Sequence, residues 1–561
     1  MKKYVIGLDF GTLSGRCVIA DVQSGDIIAE SSMPYAHGVM EKAMEDGTPL
    51  PEGYALADIH DYTTALKETL RDAFRKSGAG QEQIIGIGID VTSATFLPVD
   101  RDGQPLCDDS AFSKDPHAWM KLWKHHGAQE MADRITELMN ERNESFADRA
   151  GRKVNAEWML PKLLEILEKS PEVYEHTANF MECGDYLVYT LTNQVTRSLG
   201  PWGYKMIRSA EDEDRTAFYE ALNPAFKNVE EKTGGTILPL GGRAGLLTEE
   251  AAMELGLLSG IPVASANIDA HVSVPAAGIT GAGKMLAIIG TTCCAVVMDK
   301  AERFVPGISG CVKDGVMPGF YGYEAGQSAI GDMFAWFTEN GVSGQIKATA
   351  EGKGISVQQY LTELAGKKKP GASGLIALDW WNGNRSHLAD ADLSGMIAGM
   401  TLTTAPEDIY RALLEAAAYG LREIRDNYVS HGVTVDEIYA CGGIPKKNPL
   451  LMQIYADVCG CDIKIAKAAE ASALGAAVFA SVAAGKEKGG YDTVSEAAEA
   501  MGHIEERIYH PIPENVLIYD KLFAEFKRLH DYFGTGINDV MKRLKKIREE
   551  AEGLSTQPIV L

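Results

Sequence analysis

The chain has 561 residues, of which 45% are hydrophobic and 24% charged, so it holds enough apolar material for a sizeable core and is not a disordered polymer. A formal charge of -24 and a pI near 5.0 exclude a surface that gathers nucleic acid or anionic lipid, because both need clustered Lys and Arg. A small soluble substrate is expected, and an anionic one must be met by local positive groups or metal ions.

The start, MKKYVIGLDF, carries an aspartate at position 9 and so lacks the uninterrupted apolar run of a signal peptide. The apolar stretches 285–298 and 471–485 are too short and too rich in Ser, Thr or Gly to span a bilayer, which places the chain in the cytoplasm. Nine scattered cysteines are expected as free thiols; Cys293–Cys294 and Cys459-x-Cys461 lack partners at zinc spacing and read as small buried hydrophobes.

Three β-like runs open the chain, YVIGLDF, RCVIADV and DIIAESS, separated by short Gly-rich turns as in an antiparallel meander. A helix pattern covers Asp58 to Ser77, and the run IIGIGIDV, Ile84 to Val91, reads as a buried strand. Residues of about 118–219 are mostly helical and have the character of an insertion that shapes a pocket. Near 260–300 the opening plan recurs: an apolar strand ends in "NIDAH", and "KMLAIIGTTCCAVVMD" is strand, Gly-Thr-Thr turn, strand.

The second half continues with "TAPEDIYRALLEAAAYGLREIRDNYV", a helix expected to take Thr404 as N-cap with Glu407 three residues on. "ACGGIPKKNPLLMQIYADV" is strand, glycine turn and a helix capped by Asn448 with Pro449 in its first position. The tail from Glu514 to Gly553 is charged and helical. An α/β architecture of two similarly built lobes follows, with residues 1–277 and 285–561 joined by a hinge at 278–284.

An ionised aspartate inside an apolar strand is costly unless it is paired, hydrogen-bonded or metal-bound. Alone, Asp9 reads as a turn-side residue bonding its own backbone. The second Gly-Thr turn and the second strand-end aspartate favour magnesium instead, since tight turns from both lobes would cradle phosphate through N–H groups and hydroxyls. "GITGAGKM" imitates a P-loop but has Met285 where Ser or Thr must stand, and a strand follows where a helix is needed.

"GLDFGTLSGR", "GTTCCAVV", "NIDAH", "GMIAGMTLTTAPEDIYRALLE" and "EASALGAA" occur in the order and spacing of the FGGY carbohydrate kinases, which the chain resembles over nearly its whole length. The resemblance implies a ribonuclease H-like fold of the actin, Hsp70 and sugar kinase kind, with an interlobe cleft between an N-terminal sugar lobe and a C-terminal nucleotide lobe. It implies ATP and Mg2+, and phosphoryl transfer to a sugar hydroxyl. It makes Asp269 the catalytic base and Asp9 with Asp269 the metal-side carboxylates. Thr12, Ser14 and Arg16 fall on the first phosphate motif, Gly290, Thr291 and Thr292 on the second, and Gly442, Gly443 and Asn448 near the base of the nucleotide.

Within the family, "DVTSAT", "EWMLPK", "GYKMIRS", "NIDAHVSVPAAG" and "GYEAGQSAIGD" imply a ketopentose acceptor, foremost L-ribulose from L-arabinose use, held by Ala94, Lys205, Asp269 and Glu324. D-ribulose, ribitol and L-xylulose are the competing acceptors. An ATPase of the actin or Hsp70 kind without a sugar, and a sugar-binding regulator without catalysis, are the readings from other classes. "LWKHH" replaces the Asp-x-Arg that often follows a Trp in relatives, leaving Lys124, His125 and His126 as either sugar contacts or an exposed helix face. Trp380 and Trp381 either line the cleft or pack beneath a loop. A homodimer is the default assembly.

Overall fold

A computed structural model of the chain describes residues 2–209 and 211–551. Strands β1 (Tyr4–Phe10), β2 (Ser14–Asp21) and β3 (Ile27–Pro34) form the antiparallel meander expected from the opening runs. Helix α1 (Ile59–Ser77) then crosses to β4 (Ile84–Val91), which pairs with β1 in parallel. Asp58 caps α1 by accepting from the His60 N–H at 2.9 Å, and Gly78 ends it in the left-handed region. Strands β5 (Arg243–Leu246), β6 (Pro262–Ala264) and β7 (Asn267–Ile268) complete a seven-stranded sheet in the order β5-β6-β4-β1-β2-β3, with β7 also on β4.

The insertion contains helix α2 (Met159–Lys169) and two short strands, Met120–Lys121 and Asn179–Glu182, which the helical reading of the region did not foresee and which join Leu56–Ala57 and Phe96–Val99 from before it in a small sheet. After β7 the chain turns directly into α3 (Asp269–Ala276). Segment 278–284 follows; Gly278 there packs on Gly502, whose carbonyl a Cβ would approach to 2.9 Å.

The second half repeats the plan. Strands β8 (Gly283–Ile289), β9 (Cys293–Asp299), β10 (Gly310–Lys313) and β11 (Tyr321–Gln327) are antiparallel neighbours. Helix α4 (Pro406–Ser430) leads to β12 (Val435–Cys441), parallel to β8, and β13 (Ile463–Ala466) and β14 (Ile504–Tyr509) extend the sheet to seven strands. The α4 cap differs from expectation: Ala405 is the N-cap residue, and its N–H donates to the Asp408 carboxylate at 3.0 Å. Thr404 instead accepts from the Thr401 N–H, because Pro406 fixes the first helical position one residue later than the Thr-x-x-Glu spacing suggested. The tail is two helices, α6 (Pro513–Gly534) and Val540–Ala551.

Helix α5 (Ala471–Ala484), small-residued and almost entirely buried, joins the halves. It comes from the C-terminal half yet lies on the first sheet, so tightly that a Cβ on Gly7, Gly86 or Gly88 would stand 1.9, 2.4 or 2.0 Å from the carbonyls of Ala473, Ala480 and Ala476. On its other flank Gly475 meets α3, where a Cβ would fall 2.0 Å from the Val272 carbonyl. A shared core of Val5, Ile85, Val272, Leu286, Tyr439 and Leu474 therefore runs between the lobes. No helix among the described residues is long and apolar enough to cross a membrane.

Candidate active site

Asp9 and Asp90 stand near the C-terminal ends of β1 and β4, and Asp269 opens α3. Asp9 opposes Asp90 in the parallel β1/β4 register, and Asp90 opposes Asn267, two residues before Asp269. Asp9 is only 5% exposed; Arg16, its partner across the β1/β2 ladder, donates to it at 3.1 Å and stands 3.6 Å from Glu470 on α5's doorstep. Burial raises the Asp9 carboxyl, with the Arg16 charge opposing it. Asp90 is fully buried and neither oxygen receives a hydrogen bond. Burial first, then the charges of Asp9 and Asp269, push it well above the carboxylate range.

Asp269 starts α3, and its carboxylate accepts from the Ala270 N–H at 2.7 Å. Burial, reinforced by Asp9 and by Glu324, pushes it up to about 7, against the Ala270 N–H and the Lys205 charge. Glu324 on β11 faces it from the other half. Lys205 approaches Glu324 to 3.3 Å and His271 Nε2 lies 3.0 Å from its second oxygen. Burial works to raise the Glu324 carboxyl, but Lys205 and His271 together hold it down at about 2. The site thus pairs a carboxyl poised near neutrality with one locked in its charged form.

Ala94 follows β4 with φ +57°, and its carbonyl accepts from Lys162 of α2 at 3.0 Å. The same fully buried ammonium takes the Leu122 and Trp123 carbonyls at 2.6 and 3.2 Å, fixing two loops as one wall. Burial lowers Lys162 to about 7. Trp123 in turn donates its indole N–H to the Thr12 hydroxyl at 3.0 Å.

The two Gly-Thr turns sit on matching hairpins. Gly11 N–H donates to the Ser14 carbonyl at 3.1 Å, and Gly290 N–H to the Thr292 carbonyl at 2.9 Å. The second turn is also tied to the helix Gly331–Asn340, since Ile330 and Gly331 donate to Thr291 and Gly290 at 2.7 and 3.0 Å. Gly442 (φ +99°) leaves β12 against Ile289, whose carbonyl a Cβ would meet at 2.5 Å, and Gly443 faces open space. Asn448 uses its Oδ1 to cap the helix Pro449–Cys459 through the Leu451 N–H at 3.0 Å.

"LWKHH" lies in a turn and not on a helix face. His125 is fully buried against Glu165 at 2.8 Å, Lys124 pairs with Glu41 at 2.7 Å, and His126 reaches Glu157 at 3.1 Å. Lys124 and His126 line a hollow of ≈ 540 Å³ whose walls include none of the three aspartates. Trp380 packs in the core of the second half against His530 of α6, while the half-buried Trp381 meets Trp336.

Several participants were not singled out from sequence: Asp90, His271, Lys162, and the interlobe pair in which Arg385 donates to Glu157 at 3.3 Å while sitting over the Trp123 ring. The signal for Asp90 was present, as "IGIGID" copies the apolar-strand-to-aspartate plan of "VIGLD".

Family models place this architecture. Residues 4–274 match the N-terminal domain, and residues 285–484 the C-terminal domain, of the FGGY family of carbohydrate kinases. The chain belongs to this family. Curated relatives include a ribulokinase of Geobacillus thermodenitrificans, 49% identical with 98% of each chain covered, and one of Anoxybacillus flavithermus, 48% identical over 99% of this chain and 98% of that one. Among solved structures, the FGGY chain is similar to a xylulose kinase of Rhodospirillum rubrum (TM-score 0.76, 23% identity, 94% and 98% covered). It is also similar to a Plasmodium falciparum glycerol kinase with ADP (TM-score 0.74, 18% identity, 94% and 98% covered). These likenesses show the two-lobed sugar kinase fold.

Proposed function

We propose that this FGGY kinase transfers the γ-phosphoryl group of ATP to L-ribulose, giving L-ribulose 5-phosphate. The observation that carries the proposal is the placement of Asp269 at the start of α3, next to His271, which with Lys205 holds Glu324 of the other half at 3.0 and 3.3 Å. A sugar hydroxyl is a weak nucleophile, so attack on the γ-phosphorus needs an acceptor for its proton at the moment of bond formation. Asp269 is that acceptor. Glu324 accepts from sugar hydroxyls, Lys205 donates to a sugar oxygen, and the Ala94 backbone, set by Lys162, forms the facing wall.

Thr12, Ser14, Gly290, Thr291 and Thr292 hold the phosphates through turn N–H groups and hydroxyls, with Arg16 balancing Asp9. Gly443 leaves room for the nucleoside, and Gly442 sets the turn that carries it. Asp9 and Asp269 are buried carboxylates of the oxygen-donor kind that suits Mg2+, which when bound would neutralise phosphate charge against the -24 background. The segment 278–284 serves as the hinge for closure, which excludes water from the transfer. The cytoplasm is the proposed compartment and a homodimer the proposed assembly.

The reading is supported by near-half identity to relatives named ribulokinase over almost the full chain. An assay coupling ADP release to L-ribulose, D-ribulose, ribitol and L-xylulose tests it. The expected result is the highest kcat/KM with L-ribulose and little ADP release without sugar. A higher kcat/KM for another acceptor overturns the substrate, and sugar-independent turnover overturns the kinase assignment.

A further inference from the structure

Away from the cleft, the loop that carries Arg385 meets α4 and α6 in a second cluster of metal-ligating groups. His387 from the loop, Glu423 from α4 and His530 from α6 each bring a donor atom within 4.8 Å of the other two. We propose that these three residues form a binding site for a divalent zinc-class ion.

The chemistry of the donors points to a ligand. His530 is 1% exposed and its Nε2 has no partner; His387 Nδ1 is likewise buried and unpartnered, 3.7 Å from the Glu423 carboxylate. Unsatisfied buried imidazole nitrogens carry a desolvation cost that a metal relieves. The tautomer of His530 is fixed from behind: its Nδ1 lies 3.0 Å from Asp531 Oδ1, which takes the N–H and leaves the Nε2 lone pair facing the cluster. A carboxylate holding the far nitrogen of a metal-binding histidine is the usual outer support of zinc ligands. Two imidazoles and one carboxylate suit zinc better than magnesium or calcium, which prefer all-oxygen sites.

Lys527 occupies the cation position in the metal-free protein. Its ammonium lies 2.6 Å from Glu423 and 2.9 Å from Asp531, but its side chain is 40% exposed and can withdraw to solvent. The site thus keeps its charge balanced without metal and exchanges one cation for another. Bound metal would tie α4, α6 and the Arg385 loop together, with Trp380 walling His530 at 5.3 Å between ring centroids.

The test uses the full chain, incubated with zinc sulfate in excess Mg2+ to occupy the carboxylate site, then passed over a chelating column. Zinc per chain is measured by mass spectrometry for the wild type, the His387→Gln/His530→Gln double variant and Lys527→Ala. The wild type is expected to retain one zinc more than the double variant, and cobalt loading to give a visible absorption that the double variant lacks. Lys527→Ala is expected to bind zinc at least ten-fold tighter, because the competing ammonium is gone. Equal zinc and equal cobalt spectra in wild type and double variant overturn the proposal. If circular dichroism shows that the double variant does not fold, Lys527→Ala decides alone: unchanged zinc affinity overturns the site.

Discussion

The carboxyl of Asp90 stands beside that of Asp9 across the parallel β1/β4 pair, and no N–H or O–H group donates to either of its oxygens. A proton held by Asp90 resolves the conflict, because the pair is then one donor and one acceptor. Asp90→Asn supplies that donor permanently. The variant is expected to gain about 1–2 kcal/mol in urea unfolding at pH 7.5. A variant less stable than the wild type would refute the shared proton.

Asp269, with its carboxyl raised to about 7, makes two opposite demands on pH. As a base it works only when ionised, so kcat/KM for the sugar should rise through pH 7 and then level. Its folded value lies above the ordinary carboxylate value, so the folded protein holds the extra proton and stability falls as pH climbs from about 4 to 7. Asp269→Asn should therefore abolish turnover by several powers of ten yet melt higher than wild type at pH 8. Near-normal turnover, or a melting temperature below wild type, would contradict the assignment.

Removing Lys205 leaves Glu324 with His271 as its remaining partner. If Lys205 holds the sugar as proposed, Lys205→Met is expected to raise KM for the sugar at least ten-fold and to leave nucleotide affinity within two-fold, because the lost ammonium is the partner of Glu324. Isothermal titration with each ligand separates the two effects.

Lys162 gathers the carbonyls of Ala94, Leu122 and Trp123. Lys162→Met keeps the stem and removes the donor, and should cost about 2–4 kcal/mol in unfolding. KM for the sugar should rise as the left-handed Ala94 turn loosens, which Lys162→Arg should not rescue because the fork does not fit a site cut for one ammonium.

Gly88→Ala drives a methyl to 2.0 Å from a helix carbonyl. Overpacking against backbone costs about 1–3 kcal/mol or more, so the variant should melt lower. Gly344→Ala, where nothing lies within 4 Å of the new methyl, should melt at the wild-type temperature.

The strand, Gly-Thr turn, strand plan was legible because tight turns demand Gly and small hydroxyl residues at fixed offsets. Asp9 was legible because a charge in an apolar run is conspicuous. Asp90 carried the same mark and was read as part of a strand, since no glycine turn follows it. Lys205 and Glu324 are ordinary surface residue types, and family likeness alone singled them out. His125 and Lys121 sit in a polar-looking stretch yet are fully buried with Glu165, a tertiary pairing across forty residues that no local pattern encodes. The α4 cap moved by one residue because Pro406 competes with the Thr-x-x-Glu signal.

Helix α5 meets the first sheet main chain to main chain, with glycines on the strands and alanines on the helix. A seam without side-chain thickness has no intermediate degree of separation: it is either fully apposed or open to solvent. Calorimetry should accordingly record one endotherm for all 561 residues, and amide deuteration should reach the seam last, because neither half can melt while its neighbour persists.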